Sequence, residues 1–204
     1  MESATKRITD VLLSASALFI TAPLMAAIAL TIRLAAGGPA IFPQTRPGYK
    51  GKPFTLLKFR TMTAARDSRG LFLPDAERLT PIGKLLRRLS IDELPQLWNV
   101  LRGDMSLVGP RPLLMQYMDR YTPEQAHRHD AKPGITGWAQ VHGRNAMTWT
   151  ERFDLDLWYV DNWSLALDAW IILRTPWQVL RRNGISHQGH ATMPEFSISE
   201  RNKT

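Results

Sequence analysis

The sequence of 204 residues contains no cysteine, which excludes disulfide bonds, thiol catalysis and cysteine-ligated zinc or iron–sulfur centres. It also has no internal repeat, no low-complexity tract and neither of the common glycine-rich nucleotide loops. Its five histidines lack metalloprotease spacing, and we expect them at the surface. What is present, 44% apolar and 22% charged residues, is ordinary for a folded protein of one-domain length.

Charged side chains are absent from residues 11–32, a run of 22 residues of which 17 are apolar. As a helix this run is about 33 Å long, close to the hydrocarbon thickness of a bilayer. Pro23 removes one backbone hydrogen bond and divides the run into two pieces, each too short to span alone. Two interpretations fit equally, a kinked spanning helix and a helix that bends at Pro23 and returns to the same side. A signal peptide and a buried core helix are further alternatives.

The formal net charge of +8 is concentrated around this apolar run. Residues 33–60 contain six basic and no acidic side chains, and Lys6 and Arg7 precede the run. Basic flanks favour the cytoplasmic side of a membrane and attract anionic headgroups. The excess charge therefore predicts a phospholipid membrane as partner, and we expect no nucleic-acid binding.

Short local patterns predict the elements of the remaining chain. Residues 53–60 are typical of a strand, on which Lys58 and Arg60 share one face. Three Thr-Pro pairs predict helix starts, and two Thr-x-x-Gln/Glu patterns predict capping boxes. The pairs begin at Thr80, Thr122 and Thr175, and the capping boxes at Thr122 and Thr148.

Five of the seven tryptophans lie in residues 149–177, interleaved with arginines. Tryptophan favours the membrane interface, and arginine can extend its charge toward the headgroups beside it. The same rings could equally fill a core between helices. Both interpretations stay open for this segment.

The Ser90-Ile-Asp-Glu93 segment is the sharpest candidate for chemistry. Taken alone, Ser-x-x-Glu is a capping box, which is a structural role. Neighbouring carboxylates on a helix point about 100° apart, so Asp92 and Glu93 suit two different roles. One fits a nucleophile or metal ligand, and the other an orienting or basic partner.

Basic residues before and after this segment strengthen the functional interpretation. Lys84, Arg87 and Arg88 precede it, and Arg111 follows between two prolines that restrict its backbone. Carboxylates, a hard divalent cation and fixed arginines are the usual parts of a phosphoryl-transfer site. A rigid surface turn is the alternative for Arg111. A glycine-rich stretch over residues 132–145 could bring backbone close to a ligand.

Five motifs in this order resemble the bacterial sugar transferase family, the monotopic phosphoglycosyl transferases. The motifs are Lys58-Phe-Arg-Thr-Met62, Ser90-Ile-Asp-Glu-Leu-Pro-Gln-Leu97, Asn99-Val-Leu-Arg-Gly-Asp-Met-Ser106, Val108-Gly-Pro-Arg-Pro112 and Lys132-Pro-Gly-Ile-Thr-Gly-Trp138. The resemblance covers about residues 5–185, and the chain resembles the minimal catalytic form of the family.

The resemblance implies transfer of a sugar 1-phosphate from a nucleoside diphosphate sugar, usually a UDP-sugar, to polyprenyl (undecaprenyl) phosphate. The products are UMP and a polyprenyl diphosphate sugar, in the first membrane step of bacterial glycoconjugate assembly. It implies Asp92 as nucleophile through a phosphosugar–aspartyl intermediate, with Glu93 as second catalytic residue and Mg²⁺ near Asp92. The resemblance also implies a role in phosphate binding or site integrity for four residues, Arg87, Arg111, Lys58 and Arg60.

The resemblance also implies a mixed, helix-rich α/β fold on the cytoplasmic face of the bacterial inner membrane. Expected are a re-entrant membrane helix broken at Pro23 (residues 1–36), a catalytic domain with interfacial amphipathic helices (37–190) and a flexible tail (191–204). The rival class is a non-catalytic, basic, membrane-anchored binding protein in which Asp92 and Glu93 only cap a helix.

Overall fold

A computed structural model describes residues 3–36, 38–143, 147–180 and 196. Its helices and strands confirm a mixed, helix-rich α/β architecture with a long apolar helix at the N-terminus. In chain order they are α1 (Ala4–Ala36), β1 (Ile41–Pro47), β2 (Pro53–Phe59), α2 (Asp75–Arg78), α3 (Pro81–Arg88), α4 (Gln96–Arg102), β3 (Ser106–Val108), α5 (Pro123–Ala126), β4 (Gly134–Thr136), α6 (Trp138–His142), α7 (Trp149–Asp161) and α8 (Leu165–Leu180). Four 3₁₀ turns join them, at Tyr49–Gly51, Ile91–Glu93, Met115–Arg120 and His127–Asp130.

Helix α1 is about 50 Å long at 1.5 Å per residue, and its helical backbone continues through Pro23. Pro23 therefore lies within one continuous helix, and the predicted break or kink of that helix at Pro23 stays a prediction. One narrow stripe of α1 faces the rest of the protein, and it begins with the buried polar residues Lys6, Asp10 and Ser14. The opposite face is apolar and exposed, with Phe19 at 85%. An apolar face turned outward fits a helix that anchors the protein in a membrane.

Both ends of α1 are bound to the rest of the protein. Near the start, the Lys6 ammonium forms a buried ion pair with Asp168 and donates to the Val108 carbonyl at 3.2 Å. Arg7 donates to the Val100 and Leu101 carbonyls at 2.6 and 2.7 Å, which satisfies the carboxyl end of α4. Buried Lys6 and half-buried Arg7 thus both serve contacts within the protein.

Near the other end of α1, apolar packing replaces these ion pairs. Ile28 and Ile32 lie in a buried cluster with Ala40, Phe59 and Leu86. This cluster joins the end of α1 to strand β2 and helix α3. Both elements lead directly into the candidate site.

The strands form two small sheets. β1 and β2 pair in antiparallel fashion, with Phe42 opposite Lys58 and Arg46 opposite Phe54. β3 and β4 pair in parallel, with Ser106 opposite Gly134. The strand predicted over residues 53–60 is confirmed as β2, although Arg60 lies one residue beyond its end.

The helix starts predicted from capping patterns are confirmed where the threonine side chain accepts a backbone hydrogen bond from the first turn of the helix. Thr80 and Thr122 cap α3 and α5, and Thr148 caps α7, the latter two with complete capping boxes. The third Thr-Pro pair is wrong as a helix start, because Pro176 lies inside α8. There the Thr175 hydroxyl instead donates to the Ile171 carbonyl at 2.7 Å.

The tryptophans divide between core and surface, so the core interpretation is confirmed for the buried ring, and a membrane-interface position of the exposed rings stays a prediction. Trp149 is 5% exposed and packs with Tyr117, Phe153 and Phe196 in an aromatic cluster. Three further rings are about half exposed, those of Trp158, Trp170 and Trp177. The predicted flexible tail lies outside the described residues except for Phe196, which is 1% exposed.

Candidate active site

The Asp92–Glu93 pair lies in the 3₁₀ turn Ile91–Glu93, between α3 and α4. Ser90 enters the turn with φ of 55°, in the left-handed region that a serine rarely adopts. Its side chain makes no capping hydrogen bond. The capping-box interpretation of this segment is therefore wrong, and the Glu93 side chain is directed elsewhere.

Glu93 is held between two cations from distant parts of the chain. Arg111 binds it with both terminal nitrogens, Nη1 to Oε2 at 3.0 Å and Nη2 to Oε1. Lys58 donates to Oε1 at 3.1 Å. Burial opposes ionisation, but the charges and hydrogen bonds of Arg111 and Lys58 outweigh it and hold the pKa of Glu93 well below its usual range. Glu93 is thus a fixed anion at neutral pH, not a proton acceptor.

The two cations respond differently to this contact. The Glu93 carboxylate raises the pKa of Arg111 above its ordinary value. Burial lowers the pKa of Lys58, and Glu93 offsets this only in part because the Arg111 charge acts in the same direction as burial. The Lys58 ammonium is accordingly the more readily neutralised of the two.

Asp92 is buried at 8% exposure, yet its environment is the opposite of that of Glu93. Burial, followed by the adjacent Glu93 charge, raises the pKa of Asp92 above its usual value, while Lys58, Arg111 and Arg87 oppose the rise. Within the described part of the chain, no hydrogen bond or ion pair engages its carboxylate. Neighbouring carboxylates with opposite pKa shifts are typical of a divided catalytic role.

Lys58 reaches Glu93 because Asn99 fastens strand β2 to helix α4. The Asn99 side chain is fully buried and donates to the Thr55 carbonyl at 2.7 Å. Its amide oxygen accepts from the Leu57 backbone N–H at 3.0 Å. The amide therefore continues the ladder of β2, and the residue after Leu57 is Lys58. The motif 99–106 signalled importance, but only the fold shows this positioning role.

Arg111 is held by a buried ion pair that the sequence did not reveal. Arg128, 2% exposed, donates from Nε and Nη2 to Asp156 Oδ2 at 3.1 and 2.6 Å. The same Nη2 donates to the backbone carbonyl of Arg111 at 2.8 Å. His129 beside it is also buried, so the expectation of surface histidines is wrong there, and burial lowers its pKa to about 4.

Glycines next to Arg111 serve close backbone packing. A side-chain carbon on Gly109 would lie 2.2 Å from the Lys132 carbonyl oxygen, and one on Gly134 would lie 2.1 Å from the Gly109 nitrogen. These glycines allow β3 and the residues before Arg111 to approach β4. The glycine-rich stretch therefore brings backbone close to backbone, where the sequence suggested an approach to a ligand.

The remaining predicted site residues, Arg87 and Arg60, differ in their electrostatic effect on the carboxylates. The charge of Arg87 acts to lower the pKa of Asp92, and the Arg87 Nε donates to the Thr61 hydroxyl at 3.0 Å. Arg60 donates its backbone N–H to the Ala40 carbonyl at 2.8 Å, and its side-chain Nε is buried. Arg60 is not among the largest electrostatic influences on Asp92 or Glu93.

Two further arginines, which sequence reasoning missed as site residues, lie near Arg111. Arg46 of β1 donates to the Gln44 side chain at 2.7 Å, and its Nε is buried without a partner among the described residues. Arg152 of α7 is 6% exposed. Burial is the main cause that lowers the pKa of each arginine to about 10. The Arg111 charge is the second cause for Arg46. For Arg152 it is the third cause, after Asp156, which raises the pKa.

Among the described residues, no group of three or more His, Asp or Glu side chains could hold a metal ion by itself. Magnesium, however, is commonly held by one or two carboxylates together with substrate phosphates. Asp92 fits that donor set because its carboxylate is not committed to an ion pair, in contrast to Glu93.

Comparison with known proteins finds relatives that cover most of this chain. The uncharacterized sugar transferase EpsL of Bacillus subtilis (strain 168) is 55% identical over 194 residues, covering 95% of this chain and 96% of that protein. A UDP-glucose:undecaprenyl-phosphate glucose-1-phosphate transferase of Caulobacter vibrioides is 47% identical, covering 83% and 67%. An undecaprenyl-phosphate galactose phosphotransferase of Salmonella typhimurium is 41% identical, covering 88% of this chain but 41% of that longer protein. The family model for bacterial sugar transferases matches residues 1–182, so the chain belongs to the bacterial sugar transferase family.

Proposed function

We propose that this protein transfers a sugar 1-phosphate from a UDP-sugar to undecaprenyl phosphate, releasing UMP and forming an undecaprenyl diphosphate sugar. The observation that supports it best is the Asp92–Glu93 pair, in which one carboxylate is neutralised by two cations and the other is uncommitted. The names of the Caulobacter and Salmonella relatives both specify undecaprenyl phosphate, with glucose and galactose as the respective sugars, and the Caulobacter name also specifies UDP-glucose.

In this mechanism an Asp92 oxygen attacks the phosphorus next to the sugar. The bond between that phosphorus and the bridging oxygen of the diphosphate breaks, and UMP leaves with its electron pair. An oxygen of undecaprenyl phosphate then attacks the same phosphorus, and the bond to Asp92 breaks to regenerate the carboxylate. Glu93 acts as a positioning anion that keeps Arg111 and Lys58 beside the phosphoryl group.

Bound Mg²⁺ would be held by Asp92 and the substrate phosphates, where it would neutralise phosphate charge. The chain itself supplies Arg87, Lys58 and Arg111 around Asp92 for the same electrostatic purpose. Their positive charge also favours the ionised, nucleophilic form of Asp92 against the effect of burial.

We further propose that α1 is re-entrant, with both of its ends on the cytoplasmic face. The support is that Lys6 near its start and Ile32 near its end both contact the same globular part. A helix that crossed the membrane would carry these contacts to opposite sides. The exposed rings of α8, Trp170 and Trp177, suit the membrane interface, where the phosphate of a lipid-linked acceptor lies.

The decisive assay measures UMP release by the full-length protein in lipid nanodiscs with Mg²⁺, undecaprenyl phosphate and a panel of UDP-sugars. Without the acceptor, we expect at most one UMP per protein and a mass increase of one sugar phosphate on a peptide containing Asp92. The Asp92→Asn variant should stay folded and release none. A folded wild-type protein that releases no UMP from any sugar of the panel would instead favour a non-catalytic membrane-anchored protein.

The topology has its own test, because the chain contains no native cysteine. Single cysteines are introduced as Ser3→Cys and Gly37→Cys and labelled with an impermeant reagent in sealed vesicles. Both should be labelled from the cytoplasmic side. Labelling from opposite sides would contradict the re-entrant arrangement.

A further inference from the structure

Helix α1 bonds directly to the backbone of strand β3. The Asp10 carboxylate is buried at 6% exposure and accepts the Leu107 backbone N–H at 3.1 Å. One residue further along the strand, the Val108 carbonyl accepts from the Lys6 ammonium at 3.2 Å. Asp10 and Lys6 are four residues apart and therefore share one face of α1. The start of α1 thus holds two consecutive residues of β3.

The Lys6 ammonium is itself fixed by a buried network. It pairs with Asp168 of helix α8, whose carboxylate also accepts from the Tyr159 hydroxyl at 2.7 Å and from Trp163 Nε1 at 3.0 Å. Such bonds are strong in a buried region, because water screens them little. The contact between α1 and Val108 therefore has a defined position.

Arg111 follows this attachment after three residues, and the backbone between them is bonded at each step. The Gly109 N–H donates to strand β4 at 2.9 Å, and the Pro110 carbonyl accepts from β4 at 3.1 Å. Arg128 donates to the Arg111 carbonyl at 2.8 Å. Because every residue over 107–111 has a bonded backbone group, a displacement of β3 would be passed on to Arg111.

The position of Arg111 matters because its guanidinium holds Glu93. Its two terminal nitrogens bind the two carboxylate oxygens of Glu93, an arrangement that requires a defined place and plane of the guanidinium. A shift of about 1 Å at a group beside the reacting atoms can cost about a hundredfold in rate. The contact of α1 with β3 can therefore act on the candidate site through Arg111.

We propose that Asp10 is a positioning residue for Arg111, through which the place of α1 against β3 sets the geometry of the Arg111–Glu93 pair. This inference rests on the proposed function, in which Arg111 lies beside the transferred phosphoryl group. Asp10 acts on the reaction only through Leu107 and the strand that follows. What it supplies is the acceptor oxygen for the Leu107 N–H.

The test compares Asp10→Leu with Asp10→Asn in the full-length protein in nanodiscs. Leucine keeps a branched side chain and removes the acceptor, whereas asparagine keeps an acceptor oxygen and removes the charge. The measured quantity is the rate of UMP release from a UDP-sugar before undecaprenyl phosphate is added. For Asp10→Leu we expect this rate to fall by about ten- to a hundredfold, with an unchanged KM for undecaprenyl phosphate in full turnover. Asp10→Asn should restore a rate close to that of the wild type.

A double-mutant cycle with Arg111→Lys separates positioning from a general loss of stability. Lysine keeps the charge but cannot bind Glu93 with two parallel hydrogen bonds. If Asp10 acts through Arg111, adding Asp10→Leu to Arg111→Lys should lower the rate no further.

Ser14→Ala is the matched control. Ser14 lies one turn beyond Asp10 on the same face of α1, is fully buried, and its hydroxyl has no hydrogen-bond partner among the described residues. This variant should release UMP at the wild-type rate. If Asp10→Leu does not fold, Asp10→Glu carries the test, because it keeps the carboxylate but displaces it by one carbon–carbon bond. A folded Asp10→Glu protein should show the same direction of change.

The results that would overturn the inference differ in what they say of the enzyme. Wild-type rates of UMP release in folded Asp10→Leu or Asp10→Glu would remove the positioning role and leave the proposed function intact. The same normal rates with a raised KM for undecaprenyl phosphate would assign Asp10 to membrane anchoring alone. A full additional loss in the double variant would assign the effect to stability. A wild type that releases no UMP from any UDP-sugar would remove both proposals together.

Discussion

Substituting the two adjacent carboxylates separately should have different effects on stability, with a loss only at Glu93. Glu93→Gln removes the only carboxylate that pairs with both Lys58 and Arg111 in the described structure, and leaves two cations without it. Removing one partner of a buried ion pair costs about 3–5 kcal/mol. The side chains of Lys58 and Arg111 are 20% and 34% exposed, so water recovers part of this loss. We therefore expect a cost of about 2–3 kcal/mol, or a decrease in Tm of about 4–12 °C.

Asp92→Asn should leave Tm unchanged or raise it. The pKa of Asp92 is raised by folding, so its contribution to stability is fully present below the unfolded pKa and is lost as pH rises through the folded pKa. At neutral pH its negative charge is thus a cost, which the neutral amide removes. Both variants should lose turnover, Asp92→Asn through loss of the nucleophile and Glu93→Gln through misplaced cations.

The assay is thermal unfolding in nanodiscs, followed by tryptophan fluorescence, with UMP release measured on the same samples. Glu77→Gln is the control, since Glu77 is exposed and far from the pair in sequence. A Tm for Glu93→Gln equal to that of the wild type would refute the anchoring role of Glu93. So would a loss of stability in Asp92→Asn as large as that in Glu93→Gln.

Three further predictions concern the elements that support the site. Burial lowers the pKa of His129 to about 4, so as the pH falls the unfolded chain takes up a proton on this side chain before the folded protein does. The Tm of the wild type should therefore decrease between pH 6.5 and 4. The decrease should be smaller in His129→Gln. Gly109→Ala places a carbon against the Lys132 carbonyl and should lower the free energy of unfolding in urea by about 1–3 kcal/mol. Its turnover should decrease as well. Lys6→Met leaves Asp168 buried and should cost about 3–5 kcal/mol; adding Asp168→Leu should recover part of that loss in a double-mutant cycle, and a purely additive cycle would contradict the coupling.

The sequence predicted the long apolar helix, strand β2, the capped helix starts and the carboxylate pair of the candidate site. These features depend on contiguous stretches, because hydrophobic length, threonine caps and ordered motifs are all local properties. The same local reasoning failed at Ser90, where the left-handed backbone turns Glu93 away from the helix end and toward Arg111.

Only the tertiary structure determined which charged side chains form ion pairs with each other. Glu93 pairs across 18 residues with Arg111 and across 35 with Lys58, and Lys6 pairs across 162 with Asp168. Local patterns carry no information on such pairs, because the partners meet only after the helices and strands pack. A sequence lacking cysteine must fasten its membrane helix and its site without disulfides, and here buried ion pairs and close glycine packing perform that task.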